Sequence, residues 1–106
     1  MNDLERKILN ILCRHSFDWC SGHIPYPSTK LSKDLGVSLY KVRKSLKVLK
    51  GLGYIESHRY CYKGEPHCQL MNGYLVTDKV VGIPEYEQAK LEEEKFIADL
   101  FNEDKT

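Results

Sequence analysis

Several things are missing from this chain, and each absence closes a route. Its 106 residues hold no apolar run approaching the roughly 20 that a membrane-spanning helix needs. The opening stretch MNDLERKILNILCRH is charged and helical in period, unlike a secretory leader, so a soluble, cytoplasmic protein is expected. There is no glycine-rich phosphate loop, no nucleophile elbow and no HExxH, and the scattered Cys, His and Asp residues do not form a triad by spacing, so catalysis is not expected. No Cys-x-x-Cys pair occurs. With 42% hydrophobic and 29% charged residues, the composition is that of one ordinary folded domain.

What is present is concentrated between Ser28 and Ile55, STKLSKDLGVSLYKVRKSLKVLKGLGYI, which reads as two short amphipathic helices around the break Gly36-Val37-Ser38. Ser28 is placed to cap the first helix, and Leu31 and Leu35, four apart, turn one apolar stripe inward. Gly36 supplies the left-handed residue that ends a helix, Val37 plugs the interhelical angle, and Ser38 caps the next helix. In that helix Val42, Leu46 and Leu49 share one face, while Tyr40, Lys41, Lys44 and Lys47 crowd the other. Upstream, Leu4, Ile8, Ile11 and Leu12 predict a helix over residues 3 to about 15. The loop from Ser16 to Pro27 carries Phe17, Trp19, Ile24 and Tyr26, with Ile24-Pro25-Tyr26 as a candidate short strand.

Downstream, Tyr54 to Tyr62 alternates like a strand, Lys63-Gly64-Glu65-Pro66 has turn chemistry, and His67 to Thr77 returns. A turn centred between Gly64 and Glu65 sets Cys61 opposite Cys68, Tyr62 opposite His67 and Ile55 opposite Tyr74, with a bulge at Asn72-Gly73. The chain is sorted by charge. Residues 28–63 carry nine Lys or Arg against two acids, whereas residues 84–106 carry three Lys against eight acids. A local basic excess is what a nucleic-acid face needs, although lysine-rich helix faces are often merely solvated.

The pieces Leu31-Ser32, Leu35-Gly36-Val37-Ser38, Val42, Leu46, Leu49 and Gly53-Tyr54-Ile55, followed by Gly73-Tyr74-Leu75-Val76-Thr77-Asp78-Lys79, resemble winged helix-turn-helix transcription regulators, notably small phage- and prophage-type proteins. The likeness covers roughly residues 28 to 80. It implies an α+β fold: a three-helix bundle with a β-hairpin wing over 54–77, plus a C-terminal helix. Residues 1–83 are then the DNA-binding domain and 84–106 a dimerisation element. It also implies double-stranded DNA as partner, with residues 38–50 in the major groove. The base-contacting slots fall on Leu39, Tyr40 and Lys41, with Leu39 better suited to packing, and the phosphate slots on Ser38 and Lys44. Arg43 and Lys47 are phosphate clamps or solvated. Near the wing tip, Arg59, Tyr60, Lys63 and His67 either reach DNA or belong to a polar hairpin with aromatic cross-strand pairs.

Two groups, Cys13, His15, Cys20 and His23, then His58, Cys61, His67 and Cys68, invite a metal test and fail it. Residues 13 and 15 point about 200° apart on a helix, and neighbours on a strand face opposite sides. Free thiols and no metal or other cofactor are expected, with a Cys61–Cys68 disulfide left open on oxidation. The last segment, PEYEQAKLEEEKFIADLFNEDKT, is a helix whose stripe of Tyr86, Ala89, Phe96, Ile97, Leu100 and Phe101 packs either on the first helix or, as the resemblance favours, also on a second copy. A protein-docking, replication or packaging adaptor on the same fold is the alternative to a regulator, and the loop from Phe17 to Tyr26 could also roof a small effector pocket.

Overall fold

The computed structural model describes residues 1–18, 22–61 and 70–103, with the side chains of residues 60, 61, 70, 71 and 101–103 left aside. Helix α1 (Asp3–Ser16) starts at Asn2, whose side-chain oxygen accepts from the Glu5 N–H at 2.8 Å while Glu5 reaches back to the Asn2 N–H, a capping box. One face of α1 places Ile8, Leu9, Leu12 and Cys13 in the core. The two-residue strand β1 (Tyr26–Pro27) leads into α2 (Ser28–Leu35). The cap of α2 is not the expected Ser28. Pro27 is the cap, without a side-chain bond, and Ser28 is the first helical residue and buried. Pro27 is committed to pairing with Gly73, so the helix starts at the residue after it.

Gly36 takes φ 67 and ψ 28, the left-handed conformation that closes α2, and its N–H donates to Ser32 O at 3.0 Å. Ser32 also donates its hydroxyl to Val37 O at 2.6 Å, bracing the turn. Helix α3 (Leu39–Gly51) follows, with Ser38 capping it by accepting from Lys41 N–H at 3.3 Å. Leu31 of α2 and Val42, Leu46 and Leu49 of α3 are fully buried with the α1 residues in one cluster. Each such side chain contributes about 1.5–3 kcal/mol on burial.

Strands β2 (Ile55–Cys61) and β3 (Leu70–Val76) form the hairpin, and the antiparallel sheet has the order β1-β3-β2. Its register differs from the turn-based expectation by two residues. Ile55 pairs with Val76 and Cys61 with Leu70, and Tyr74 lies between Ser57 of β2 and Tyr26 of β1. A two-residue shift keeps every side chain on its expected face. The register is held at the base of the hairpin, where the Thr77 N–H donates to Tyr54 O at 2.9 Å and the Thr77 hydroxyl to Gly53 O at 2.5 Å.

The expected bulge is absent too. Arg59 pairs with Asn72 and His58 with Gly73 in an unbroken ladder, and Gly73, buried between two neighbouring strands, lets Pro27 come alongside. Leu70 therefore takes the place opposite Cys61 that was expected of Cys68. Cys68, Cys20, Trp19, the turn Lys63-Gly64-Glu65-Pro66 and the Tyr62–His67 pair lie outside the described residues.

A 3-10 turn (Asp78–Val80), capped by Thr77, buries Val80 and precedes α4 (Pro84–Glu103). The first half of α4 packs along α1. Ala89 is fully buried, Asn10 donates to Glu85 O at 3.4 Å, and Arg6–Glu85 and Arg14–Glu92 pair at 3.8 and 3.4 Å. The loop that joins α1 to β1 is tied down by His15, whose Nε2 donates to Ile24 O at 2.7 Å and whose ring meets Tyr26 edge-on at 5.0 Å. The Tyr26 hydroxyl in turn donates to Asp34 of α2.

Candidate nucleic-acid interface

Helix α3 turns by about 100° per residue, which sorts its side chains into two unlike faces. Val42, Ser45, Leu46 and Leu49 are buried. The opposite face has Tyr40, Lys44 and Lys47 along its centre line, Arg43 and Lys50 on one flank, and Lys41 and Val48 on the other, all exposed. Tyr40, at 75% exposure, is held by nothing among the described residues. Leu39 is half-buried, in keeping with a packing role.

The structure thus brings Tyr40, Lys41, Arg43, Lys44 and Lys47 together on one open surface, with the exposed Ser38 capping the start of the helix. Among the described residues no carboxylate comes within ion-pair distance of Lys41, Arg43, Lys44 or Lys47. Four uncompensated cations on one helix make a local positive field that the net charge of +1 conceals. Lys41 and Lys44 also border a groove of about 250 Å³ with Asn2, Leu4 and Glu5, where the basic face meets the acidic first turn of α1.

The hairpin adds fewer described residues. Ile55 is buried, Ser57 half-buried and Arg59 exposed, so this side of β2 emerges from the core and runs outward. Ser57 accepts from Lys50 Nζ at 2.9 Å, which places that side towards the end of α3 and makes Arg59 its outward continuation. Tyr60 lies opposite Met71 in the ladder. Its side chain, like Lys63 and His67, is outside the described part. His58 pairs with Glu56 at 3.0 Å on the other side of the strand.

Nothing in the sequence points Lys50 or Lys79 to a partner, yet both are bonded at the α3–hairpin junction: Lys50 to Ser57, and Lys79 to Leu52 O at 2.6 Å. Only their charge was visible in the sequence; their partners depend on the hairpin register. A second cavity of about 460 Å³ lies where the proposed effector pocket was placed, between α1, Tyr26 and α4. Of the polar groups that line it, Arg14 is engaged with Glu92, His15 with Ile24 and Tyr26 with Asp34, and Glu93 also borders it.

No family model matches the chain, and no curated protein matches it. Solved structures do. A point mutant of Lactococcus lactis ZitR superposes with TM-score 0.61 at 20% identity over 100% of this chain and 62% of that one. Wild-type Lactococcus lactis ZitR in complex with DNA gives 0.57 at 19% identity over 96% and 59%. The zinc-dependent MarR family transcriptional regulator AdcR in its Zn(II)-bound state gives 0.55 at 19% identity over 96% and 59%. This chain therefore spans about three fifths of the length of those proteins.

Among the described residues no three His, Cys, Asp or Glu side chains are grouped to hold an ion. At such identities the likeness is one of architecture. With its helix-turn-helix, bundle and three-stranded sheet in which β2 and β3 form the hairpin, this chain has the winged helix-turn-helix fold.

Proposed function

We propose that the protein is a non-catalytic, sequence-selective binder of double-stranded DNA that acts in the cytoplasm as a dimeric transcription regulator. The observation that carries this reading is the unpaired basic face of α3, set in a helix-turn-helix whose other face is fully buried. A helix about 10–12 Å across with its side chains fits the major groove. Tyr40 and Lys41 meet base edges from the first turns, while Ser38, Arg43, Lys44 and Lys47 meet phosphates. Arg59 and the hairpin beyond it serve as the wing. The DNA complex of ZitR, a protein of similar fold, supports the choice of ligand.

The dimer rests on α4. At about 1.5 Å per residue its 20 residues span about 30 Å, against about 21 Å for the 14 of α1, so it overshoots its partner. The face buried at Ala89 continues through Phe96 to Leu100 with Ile97 beside it, and these are 59%, 47% and 44% exposed respectively. A second copy of the same stripe, against the first helix of each chain, covers that surface. Phe101 belongs to the same expected stripe, although its side chain is outside the described part. Residues 1–83 then hold the DNA-binding part and 84–106 the pairing helix.

Fluorescence anisotropy with random duplex DNA across a salt series tests the reading. Tight binding at low salt with a steep dependence is expected. Combining Lys41→Ala with Lys44→Ala flattens it, by about 0.9 in the logarithmic slope for each phosphate that is no longer neutralised. Absence of binding at low salt would overturn the reading in favour of a protein-docking role.

A further inference from the structure

Three successive carbonyls at the junction between α3 and the hairpin are held by two residues arriving from the hairpin's other end. Leu52 O accepts from Lys79 Nζ at 2.6 Å, Gly53 O from the Thr77 hydroxyl at 2.5 Å, and Tyr54 O from the Thr77 N–H at 2.9 Å. The Lys79 nitrogen also stands 5.5 Å from the centre of the Tyr54 ring. The stem of Lys79 lies against Gly53, where an added Cβ would meet Lys79 Cδ at 3.3 Å. Gly53 has φ 83, so the chain reverses here in a conformation that a side chain would strain.

An exposed lysine on a basic DNA-binding chain invites assignment as a phosphate contact, but the position of Lys79 argues otherwise. Its ammonium is engaged at the C-terminal end of α3, where the last carbonyls carry the negative pole of the helix and a cation is favoured. Its stem fills the space above a glycine and an aromatic ring. We infer that Lys79 is a positioning residue that fixes the angle between α3 and the hairpin, so that helix and wing meet the duplex as one rigid body, without itself touching phosphate. The inference rests on the DNA-binding reading above.

Its physical content is separable from electrostatics. Releasing the clamp leaves the cations that displace counterions in place, but adds an ordering cost each time helix and wing engage together.

The test uses the full chain with Lys79→Met, which keeps the stem and removes the ammonium, Lys79→Arg, and Thr77→Val as a second way to open the clamp. Residual dipolar couplings of backbone amides in α3 and the hairpin are expected to fit one orientation in the wild type and in Lys79→Arg, and two in Lys79→Met and Thr77→Val. Affinity for duplex DNA is expected to fall roughly three- to tenfold in Lys79→Met at every salt concentration, with an unchanged salt slope, and to recover in Lys79→Arg. A slope lower by about 0.9 would make Lys79 a phosphate contact and overturn the proposal. A single orientation with unaltered affinity in both Lys79→Met and Thr77→Val would overturn it as well. If the wild type binds no duplex, the DNA reading falls, and the couplings alone still decide whether Lys79 sets the angle.

Discussion

Cys13 shows how much a residue's neighbours decide. In sequence it is one of four cysteines; in the fold it is fully buried in the core cluster that also holds Ile8, Leu9 and Leu12 of its own helix and Ala89 of α4. Burial pushes its thiol up to about 12 from 9.0, with the nearby Glu85 carboxylate adding to the effect. The folded chain therefore favours the neutral thiol. The resulting stability is complete below pH 9, where the unfolded thiol begins to ionise, and is lost as pH rises towards 12. Tyr26, raised by burial first and then by its bond and proximity to Asp34, adds to the same alkaline trend from a higher starting point. The urea midpoint is expected to decline between pH 8.5 and about 10 in the wild type and to decline less in Cys13→Ala, which isolates the thiol's share. Equal declines would mean that Cys13 is not the group responsible.

Among the elements, the two glycine turns that flank α3 look alike in sequence and differ in what surrounds them. Gly36 has φ 67 with open space where a Cβ would go, so Gly36→Ala carries only the conformational cost, about 1–2 kcal/mol. Gly53 has φ 83 and Lys79 Cδ in the way, so Gly53→Ala is expected to cost more and to disturb the hairpin as well. Chemical denaturation of the two variants checks the order, and equal losses would count against a packed junction at Gly53. The helices were legible because apolar spacing of three and four leaves one solution: Leu31, Val42, Leu46 and Leu49 all proved to be core. The hairpin was legible as a hairpin but not in register. Turn chemistry suggests a centre without measuring it, and the bonds of Thr77 that set the pairing join residues more than twenty positions apart. Ser28 was misread for a related reason, since the strand pairing of Pro27 displaced the cap by one residue.

At the scale of the whole molecule, the exposed far half of α4 is the surface proposed to pair two chains. If a second copy covers it, sedimentation at micromolar concentration is expected to give twice the chain mass. The pair Phe96→Asp and Leu100→Asp is then expected to give the single-chain mass with helix content retained, because both side chains are already exposed. A wild-type protein sedimenting as one chain would leave the stripe without its proposed partner. The amino-acid sequence by itself determined the order of elements, the helix-turn-helix with its buried and basic faces, and the separation of positive from negative segments. These follow from local periodicity, capping residues and charge, which act over a few residues. Only the tertiary structure decided the hairpin register, the direction in which Arg59 leaves the core, the commitment of Lys50 and Lys79 to the junction, and how far α4 extends beyond α1. Each of those depends on contacts between segments distant in the chain, and local preference carries no information about which distant groups will meet.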